Sequence, residues 1–125
     1  MVSLLRSRAR AFVYSTASPP AAAEAGLAAL SLCRGPEGDA RRRRLWANAR
    51  VLQEGLGVVS PSPILALPYR KVGAAGQASA LLERKGFYVA ALRPPTVPAG
   101  TSRLRLVATA AHAPGQVRGL VRALA

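Results

Sequence analysis

Prolines and glycines divide this chain into short segments, and this division limits its fold more than any other sequence feature. The 125 residues include 10 prolines and 11 glycines. Proline ends helices and strands, and clusters of proline and glycine mark loops. A membrane-spanning helix needs about 20 apolar residues in a row, and no segment between these breaks provides them. The chain therefore predicts a small domain of short helices and strands.

Apolar spacing between the breaks predicts the order of these elements. In chain order they are helices over 20–33 and 40–55, a strand over 64–67, a helix over 73–85, strands over 87–92 and 102–109, and a helix from residue 114. Residues 11–16 are expected to be extended, and Asp39 is expected to cap the second helix. The last two strands are joined by a short proline-rich loop, which favours antiparallel neighbours. The predicted fold class is therefore α+β, with a small, mainly antiparallel sheet and helices packed on one face.

The net charge of +13 suggests a nucleic-acid partner, but the composition weakens that interpretation. Sixteen of the 18 basic residues are arginine, spread along the chain apart from Arg41–Arg44, and aromatic residues make up only 5%. Base stacking needs more aromatic side chains than this. Arg41–Arg44 cover a full helical turn and point in all directions, as a solvated basic turn does. We therefore expect neither a nucleic-acid nor a membrane partner.

Residues for metal binding or unaided catalysis are scarce. One cysteine, Cys33, excludes a disulfide within the chain and a cysteine-built zinc site, and one histidine, His112, leaves little for a metal cluster. The only side-chain amines for a Schiff base are Lys71, beside Arg70 in a loop, and Lys85, at a helix C-terminus. Neither is predicted to be buried, as an activated lysine is. We therefore assign no metal site and no catalytic residue.

The segment from Arg93 to Arg105 has the strongest pattern for ligand binding. Each proline of Pro-Pro-Thr-Val-Pro fixes its own φ and restricts the residue before it, so that a hydroxyl such as Thr96 is held at little entropic cost. In the following strand, Arg103 and Arg105 alternate with leucines and share one face. An arginine on a rigid strand suits bidentate recognition of a carboxylate. From the residues alone, an edge strand with both arginines in solvent is the slightly favoured alternative.

At these residues the sequence resembles a known family. Residues 93–106, Arg-Pro-Pro-Thr-Val-Pro-Ala-Gly-Thr-Ser-Arg-Leu-Arg-Leu, and the Ala-Ala-His that ends at His112 resemble the C-terminal part of the 8-amino-7-oxononanoate synthase family. These are α-oxoamine synthases of fold type I that depend on pyridoxal 5'-phosphate (PLP). Residues 8–20, which contain Tyr-Ser-Thr and end in Pro-Pro, resemble a second motif of the family. The resemblance covers nearly the whole chain and implies the small C-terminal domain of such an enzyme.

The resemblance implies a reaction, a cofactor and partners. These enzymes condense L-alanine with pimeloyl-CoA or the pimeloyl carrier protein, with decarboxylation, to give 8-amino-7-oxononanoate in biotin biosynthesis. PLP is the electron sink, and the protein supplies orientation and charge. The resemblance also implies a cytoplasmic homodimer. The Arg-Pro-Pro-Thr form favours this group over the related glycine acetyltransferase, 5-aminolevulinate synthase and serine palmitoyltransferase.

Four residues of this chain match functional positions of the family. Thr96 matches a threonine that contacts the substrate. Arg105, rather than Arg103, matches the arginine that binds the amino-acid carboxylate. Ser15 and Thr16 match hydroxyls that reach the PLP phosphate of the other subunit in the dimer.

The chain also departs from the family pattern. In the family, the Schiff-base lysine, the aspartate at the pyridine nitrogen and the histidine that stacks on the ring all lie upstream of the Tyr-Ser-Thr motif. We therefore expect residues 1–19 to be a connecting segment from a large PLP domain and residues 20–125 to be the small domain. We also expect a truncated product that is inactive alone. The alternative is a non-catalytic remnant or a basic binding module.

Overall fold

The computed structural model describes all residues, 1–125, and contains six helices and a three-stranded sheet. The elements, in chain order, are α1 (Val2–Arg8), α2 (Arg10–Val13), α3 (Pro20–Arg34), α4 (Pro36–Leu56), β1 (Ile64–Pro68), α5 (Ala74–Arg84), β2 (Ala90–Leu92), β3 (Arg103–Val107) and α6 (Pro114–Leu124). The chain divides into two compact units, Met1–Gly38 and Asp39–Ala125. None of the helices is long and apolar enough to cross a membrane.

The first three helices bury none of their residues. Helix α3 begins at Pro20, because the missing proline N–H is not needed in a first helical turn, and it ends before Gly35, close to its predicted bounds. The prediction of an extended segment over 11–16 is wrong in its first half, since residues 10–13 form the helix α2. Arg10 and Ala11, which begin α2, favour helix over strand.

Helix α4 begins earlier than the sequence predicts. The predicted cap, Asp39, lies inside the helix, which starts at Pro36. Proline suits this first position, and glycine is required at Gly38, because a Cβ there would collide with the Cys33 carbonyl. The Asp39 carboxylate instead pairs with Arg42 in the next turn. The proline and glycine that predict a break therefore belong to the first turn of the helix.

The sheet is antiparallel, with β3 between β1 and β2. This arrangement confirms the prediction that the last two strands are antiparallel neighbours. Its register places Ala66, Arg105 and Ala90 side by side across the three strands. The paired parts of β2 and β3 are shorter than the predicted 87–92 and 102–109.

The core of the second unit lies between the sheet and helices α4, α5 and α6. Leu104 and Leu106 of β3 expose 0% and 1% of their surface, and Leu65 of β1 exposes 0%. These leucines pack with apolar side chains of the helices, among them Ala49, Leu52, Leu82 and Val117. Because side chains alternate along a strand, burial of the leucines turns Arg103 and Arg105 to the opposite face. The predicted α+β fold, with helices on one face, is confirmed.

The cap of α5 explains why β2 is short. Gly86, with a φ of 83°, takes the left-handed position after the helix, where glycine is favoured. The Gly86 N–H donates to the Glu83 carbonyl, and the Phe87 N–H donates to the Leu82 carbonyl. The backbone at Phe87 therefore completes the helix end, and pairing with β3 starts only at Ala90.

Gly55 allows α4 and α6 to pack closely, and this predicts the effect of filling it. A Cβ at Gly55 would lie 2.5 Å from Cγ1 of Val121 and 3.0 Å from its Cγ2. Gly55→Ala should therefore lower the free energy of unfolding by about 1–3 kcal/mol, although alanine favours helix more than glycine does. Urea denaturation measures the change. Gly115→Ala is the control, because no atom lies within 4 Å of the added Cβ; equal losses in both variants would contradict the close packing.

Candidate functional site

Arg105 extends from the open face of the sheet, opposite the buried leucines. Its neighbours on β1 and β2 are Ala66 and Ala90, whose short side chains leave the exposed Arg105 uncovered. Arg105 forms no ion pair and donates no side-chain hydrogen bond within the chain. All five N–H donors of its guanidinium are therefore available to a bound anion.

A groove beside Arg105 has a volume of about 490 Å³. It is lined by β2 and the residues before it, by the end of β3, and by α6. Its walls are mostly apolar and include Phe87, Tyr88, Val89, Val107 and Leu120. Its polar side chains are Arg105, Thr109, His112 and Gln116. Apolar walls with a few polar groups are typical of a cleft that binds a small molecule. We call this cleft the Arg105 groove.

The turn after β3 holds His112 at the Arg105 groove. Nδ1 of His112 accepts a hydrogen bond from the Thr109 N–H at 3.3 Å, so that Nε2 carries the proton in the neutral ring. Asn48 of α4, only 6% exposed, donates from Nδ2 to the carbonyl oxygens of Thr109 at 2.9 Å and His112 at 3.0 Å. One buried amide therefore joins α4 to both sides of the turn.

The first turn of α6 fixes another polar side chain of the groove. Pro114 is the first helical residue, as predicted. Oε1 of Gln116 accepts a hydrogen bond from the Ala113 N–H at 2.8 Å. This bond satisfies a backbone donor that the start of a helix leaves unpaired, and it restrains the Gln116 side chain.

Thr96 lies in the loop between β2 and β3, outside the Arg105 groove. The Thr96 N–H donates to the Arg93 carbonyl at 3.0 Å. At the other end of the loop, the Thr101 hydroxyl donates to the Pro98 carbonyl at 2.8 Å. The Thr96 side chain is exposed, and its hydroxyl makes no hydrogen bond within the chain. The structure thus places Thr96 on a braced loop but does not bring it into one cavity with Arg105.

Ser15 and Thr16 belong to the first unit, in the non-helical segment between α2 and α3. Both side chains are exposed, and neither hydroxyl makes a hydrogen bond within the chain. Each hydroxyl is therefore available to an external acceptor such as a phosphate oxygen. Their role at a cofactor stays a prediction.

The two lysines lie apart from the Arg105 groove. Lys71 and Lys85 are exposed, and neither lines the groove. No three His, Cys, Asp or Glu side chains are grouped so that they could hold a metal ion.

The sequence patterns predict no role for Asn48, and they assign His112 neither a metal-binding nor a catalytic role. Asn48 directly precedes Ala49 of the apolar stripe Leu45, Ala49, Leu52 and Leu56 on α4. A polar residue beside such a stripe is the one sequence signal of a buried contact. Its partners lie 61 and 64 residues further along the chain. No local pattern identifies carbonyl oxygens at that separation.

The chain matches a known protein family over almost its full length. The family profile described as Aminotransferase class I and II matches residues 1–124. The chain belongs to the class I and II aminotransferase family.

Two relatives of this aminotransferase-family chain are 8-amino-7-oxononanoate synthases. The synthase of Anaeromyxobacter dehalogenans is 45% identical over 100% of this chain, and that of Methylobacterium nodulans is 47% identical over 99%. Each match covers 32% of the relative, so the chain spans about a third of the length of these curated relatives. The resemblance that the motifs indicate is confirmed.

A solved structure shares the fold of this aminotransferase-family chain. Serine palmitoyltransferase from S. paucimobilis, with bound PLP–myriocin aldimine, has a TM-score of 0.75 and 27% identity over 97% of this chain and 32% of that chain. The predicted small α+β domain of a fold-type I PLP enzyme is confirmed.

The contacts of Asn48 predict the effect of replacing its amide. Asn48→Asp puts a carboxylate oxygen opposite two carbonyl oxygens in a buried position, which costs at least about 2 kcal/mol of unfolding free energy. Urea denaturation measures this loss, and hydrogen exchange should quicken at residues 109–113. Gln77→Glu makes the same chemical change at an exposed position on α5 and should have little effect. If Asn48→Asp lowers the unfolding free energy no more than Gln77→Glu does, the Asn48 amide does not hold the turn.

Proposed function

We propose that this chain forms the small-domain part of a PLP-dependent acyltransferase of the 8-amino-7-oxononanoate synthase type. The whole enzyme condenses L-alanine with pimeloyl-CoA or pimeloyl carrier protein, releases CO₂ and serves biotin biosynthesis. One observation carries the proposal. The chain is 45% and 47% identical to two such synthases, and its Arg105 lies on the open face of the sheet and has no acidic partner.

In this proposal Arg105 binds the carboxylate of the amino-acid substrate. Its strand is the middle one of the sheet, and the buried leucines on the other face restrain the backbone. A guanidinium held in this way makes a bidentate, charge-assisted pair with a planar carboxylate. Because Arg105 has no partner within the chain, substrate binding breaks no internal interaction. The pair holds the amino acid and also orients the bonds at its Cα.

The surroundings of Arg105 support such a pair. The mostly apolar Arg105 groove lies beside this arginine, and a substrate that fills the groove would strengthen the ion pair by excluding water. We also assign a substrate contact to Thr96, which lies outside the Arg105 groove on a loop braced by the Thr96–Arg93 and Thr101–Pro98 hydrogen bonds. A loop ordered before binding loses little entropy when the substrate arrives.

The residues present fit the phosphate end of a PLP site. Ser15 and Thr16 offer two exposed hydroxyls on consecutive residues, and we assign them to the cofactor phosphate of the partner subunit in a homodimer. When bound, PLP withdraws electrons from the amino-acid Cα and thereby allows the carboxylate to leave as CO₂. Lys71 and Lys85 lie outside the Arg105 groove. We therefore assign the lysine that holds PLP to a large domain outside these 125 residues.

Residues 1–19 connect that large domain to the small domain, 20–125, in this proposal. The helices of the first unit leave large apolar side chains in solvent, with Leu5 57%, Phe12 67% and Leu27 59% exposed. Apolar side chains exposed in such numbers are typical of a surface that another part of a protein covers. A large PLP domain provides such a cover.

Another α-oxoamine synthase is the second candidate for the whole enzyme. The similarity to serine palmitoyltransferase, at 27% identity and a TM-score of 0.75, supports it. The higher identity to the two oxononanoate synthases and the Arg-Pro-Pro-Thr form of the loop favour the first candidate.

The role of Arg105 predicts the effect of its substitution in a complete enzyme. That enzyme is made by joining this chain to the large domain of a homologue, which carries the lysine that holds PLP. Arg105→Gln should weaken L-alanine binding by about 30-fold to several-thousand-fold, or about 2–5 kcal/mol. Arg105→Lys should recover only part of this loss, because lysine lacks the planar fork. Titration with L-alanine, followed by PLP absorbance, measures the affinity.

The control for Arg105 is Arg118→Gln, which removes the same charge from an exposed position on α6 and should leave L-alanine binding unchanged. Arg103→Gln is the competing variant. A larger loss at Arg103 than at Arg105, or no loss at either, would contradict the assignment of the carboxylate to Arg105.

The hydroxyls of Ser15 and Thr16 predict a separate effect on the cofactor. In the complete enzyme, replacing both residues with alanine should weaken PLP retention by about tenfold or more, since each hydrogen bond to a charged group contributes about 1.5–3 kcal/mol. Dialysis against PLP-free buffer measures retention, and circular dichroism checks the fold. Ser3→Ala with Ser7→Ala in α1 is the matched control. Unchanged PLP retention in the Ser15/Thr16 variant would contradict this assignment.

A further inference from the structure

We propose that a second groove of the same unit binds a phosphate group. This groove has a volume of about 530 Å³ and lies where the end of β1 and the residues after it meet the start of β3. Its polar side chains are Tyr69, Arg70, Thr101, Ser102 and Arg103. It shares no lining residue with the Arg105 groove. We call it the Arg103 groove.

Two arginines line this groove and no acidic side chain does. Neither Arg70 nor Arg103 forms an ion pair within the chain. The acidic side chains among residues 39–125 are few, namely Asp39, Glu54 and Glu83. Two like charges in one groove repel each other, whereas an anion between them adds two charge-assisted pairs. The charge of the groove therefore favours an anionic ligand.

Arg103 is restrained before any ligand binds. Its Nε donates to the Thr101 carbonyl at 3.0 Å. The Tyr69 N–H donates to the Ser102 carbonyl at 2.8 Å, which continues the pairing of β1 and β3 up to the groove. With Nε used, both Nη atoms of Arg103 remain for a ligand. A side chain fixed in advance loses little entropy on binding.

The number of donors favours a phosphate over a carboxylate. One guanidinium fork satisfies a carboxylate, whereas a phosphate monoester carries a charge of about −1.5 to −2 and three acceptor oxygens. Arg70 and Arg103 both line the groove and provide two guanidiniums. The phosphate belongs either to an inorganic ion or to a nucleotide.

Calorimetric titration of the 125-residue chain tests this proposal, with inorganic pyrophosphate and ADP as the probes at constant ionic strength. Arg103→Gln and Arg70→Gln should each weaken binding of both probes by about tenfold or more. Arg70 is exposed in a loop, so its variant keeps the fold even if Arg103→Gln does not. Arg118→Gln, with the same loss of charge elsewhere, should change the affinity by less than about twofold.

These measurements distinguish a specific phosphate site from nonspecific electrostatic binding to a chain of net charge +13. Tighter binding of ADP than of pyrophosphate identifies a nucleotide, and equal binding identifies the phosphate group alone; either result supports the site if the arginine variants differ from the control. Equal losses in all three variants, or no binding to the unaltered chain, would overturn it. The test requires neither PLP nor turnover, so its result is independent of the proposed function.

Discussion

Burial of Leu104 and Leu106 is the constraint on which the rest of the structure depends. With 0% and 1% of their surface exposed, they hold one face of β3 against the helices. A shift of the strand by one residue would expose these leucines and bury Arg103 and Arg105 instead. That shift would take two guanidiniums out of water with no acid to pair them, which costs several kcal/mol for each charge. Packing on the helical side of the sheet therefore fixes both arginines on the other side. This packing thereby gives each of the two grooves a positive charge.

Asn48 links this packing to the Arg105 groove. The groove takes Arg105 from β3 and His112 from the turn after it, and a turn of this kind is not held by strand pairing. The Asn48 amide bonds to the carbonyl oxygens of Thr109 and His112 and thereby ties the turn to α4. The Thr109 N–H in turn fixes the imidazole. A single buried side chain thus connects the helical layer to the polar end of the groove.

Local patterns were sufficient for most of the fold and for the face of the two arginines. Alternation with leucine predicts the face of Arg105, and the glycine after a helical stripe predicts the cap at Gly86. The start of α4 was missed because Pro36 and Gly38 usually end a helix, whereas here one takes the first helical position and the other a close backbone contact. The clamp by Asn48 and the two grooves depend on residues far apart in the chain. Such contacts form only after the sheet and the helices have packed.

A crystal structure of a complete enzyme that contains this chain, with L-alanine bound, tests the central claim most directly. In that structure, two N–H groups of the Arg105 guanidinium should donate hydrogen bonds to the alanine carboxylate. Nε of Arg103 should keep its hydrogen bond to the Thr101 carbonyl. A carboxylate held by Arg103, or an Arg105 side chain that remains in solvent beside bound alanine, would contradict the account.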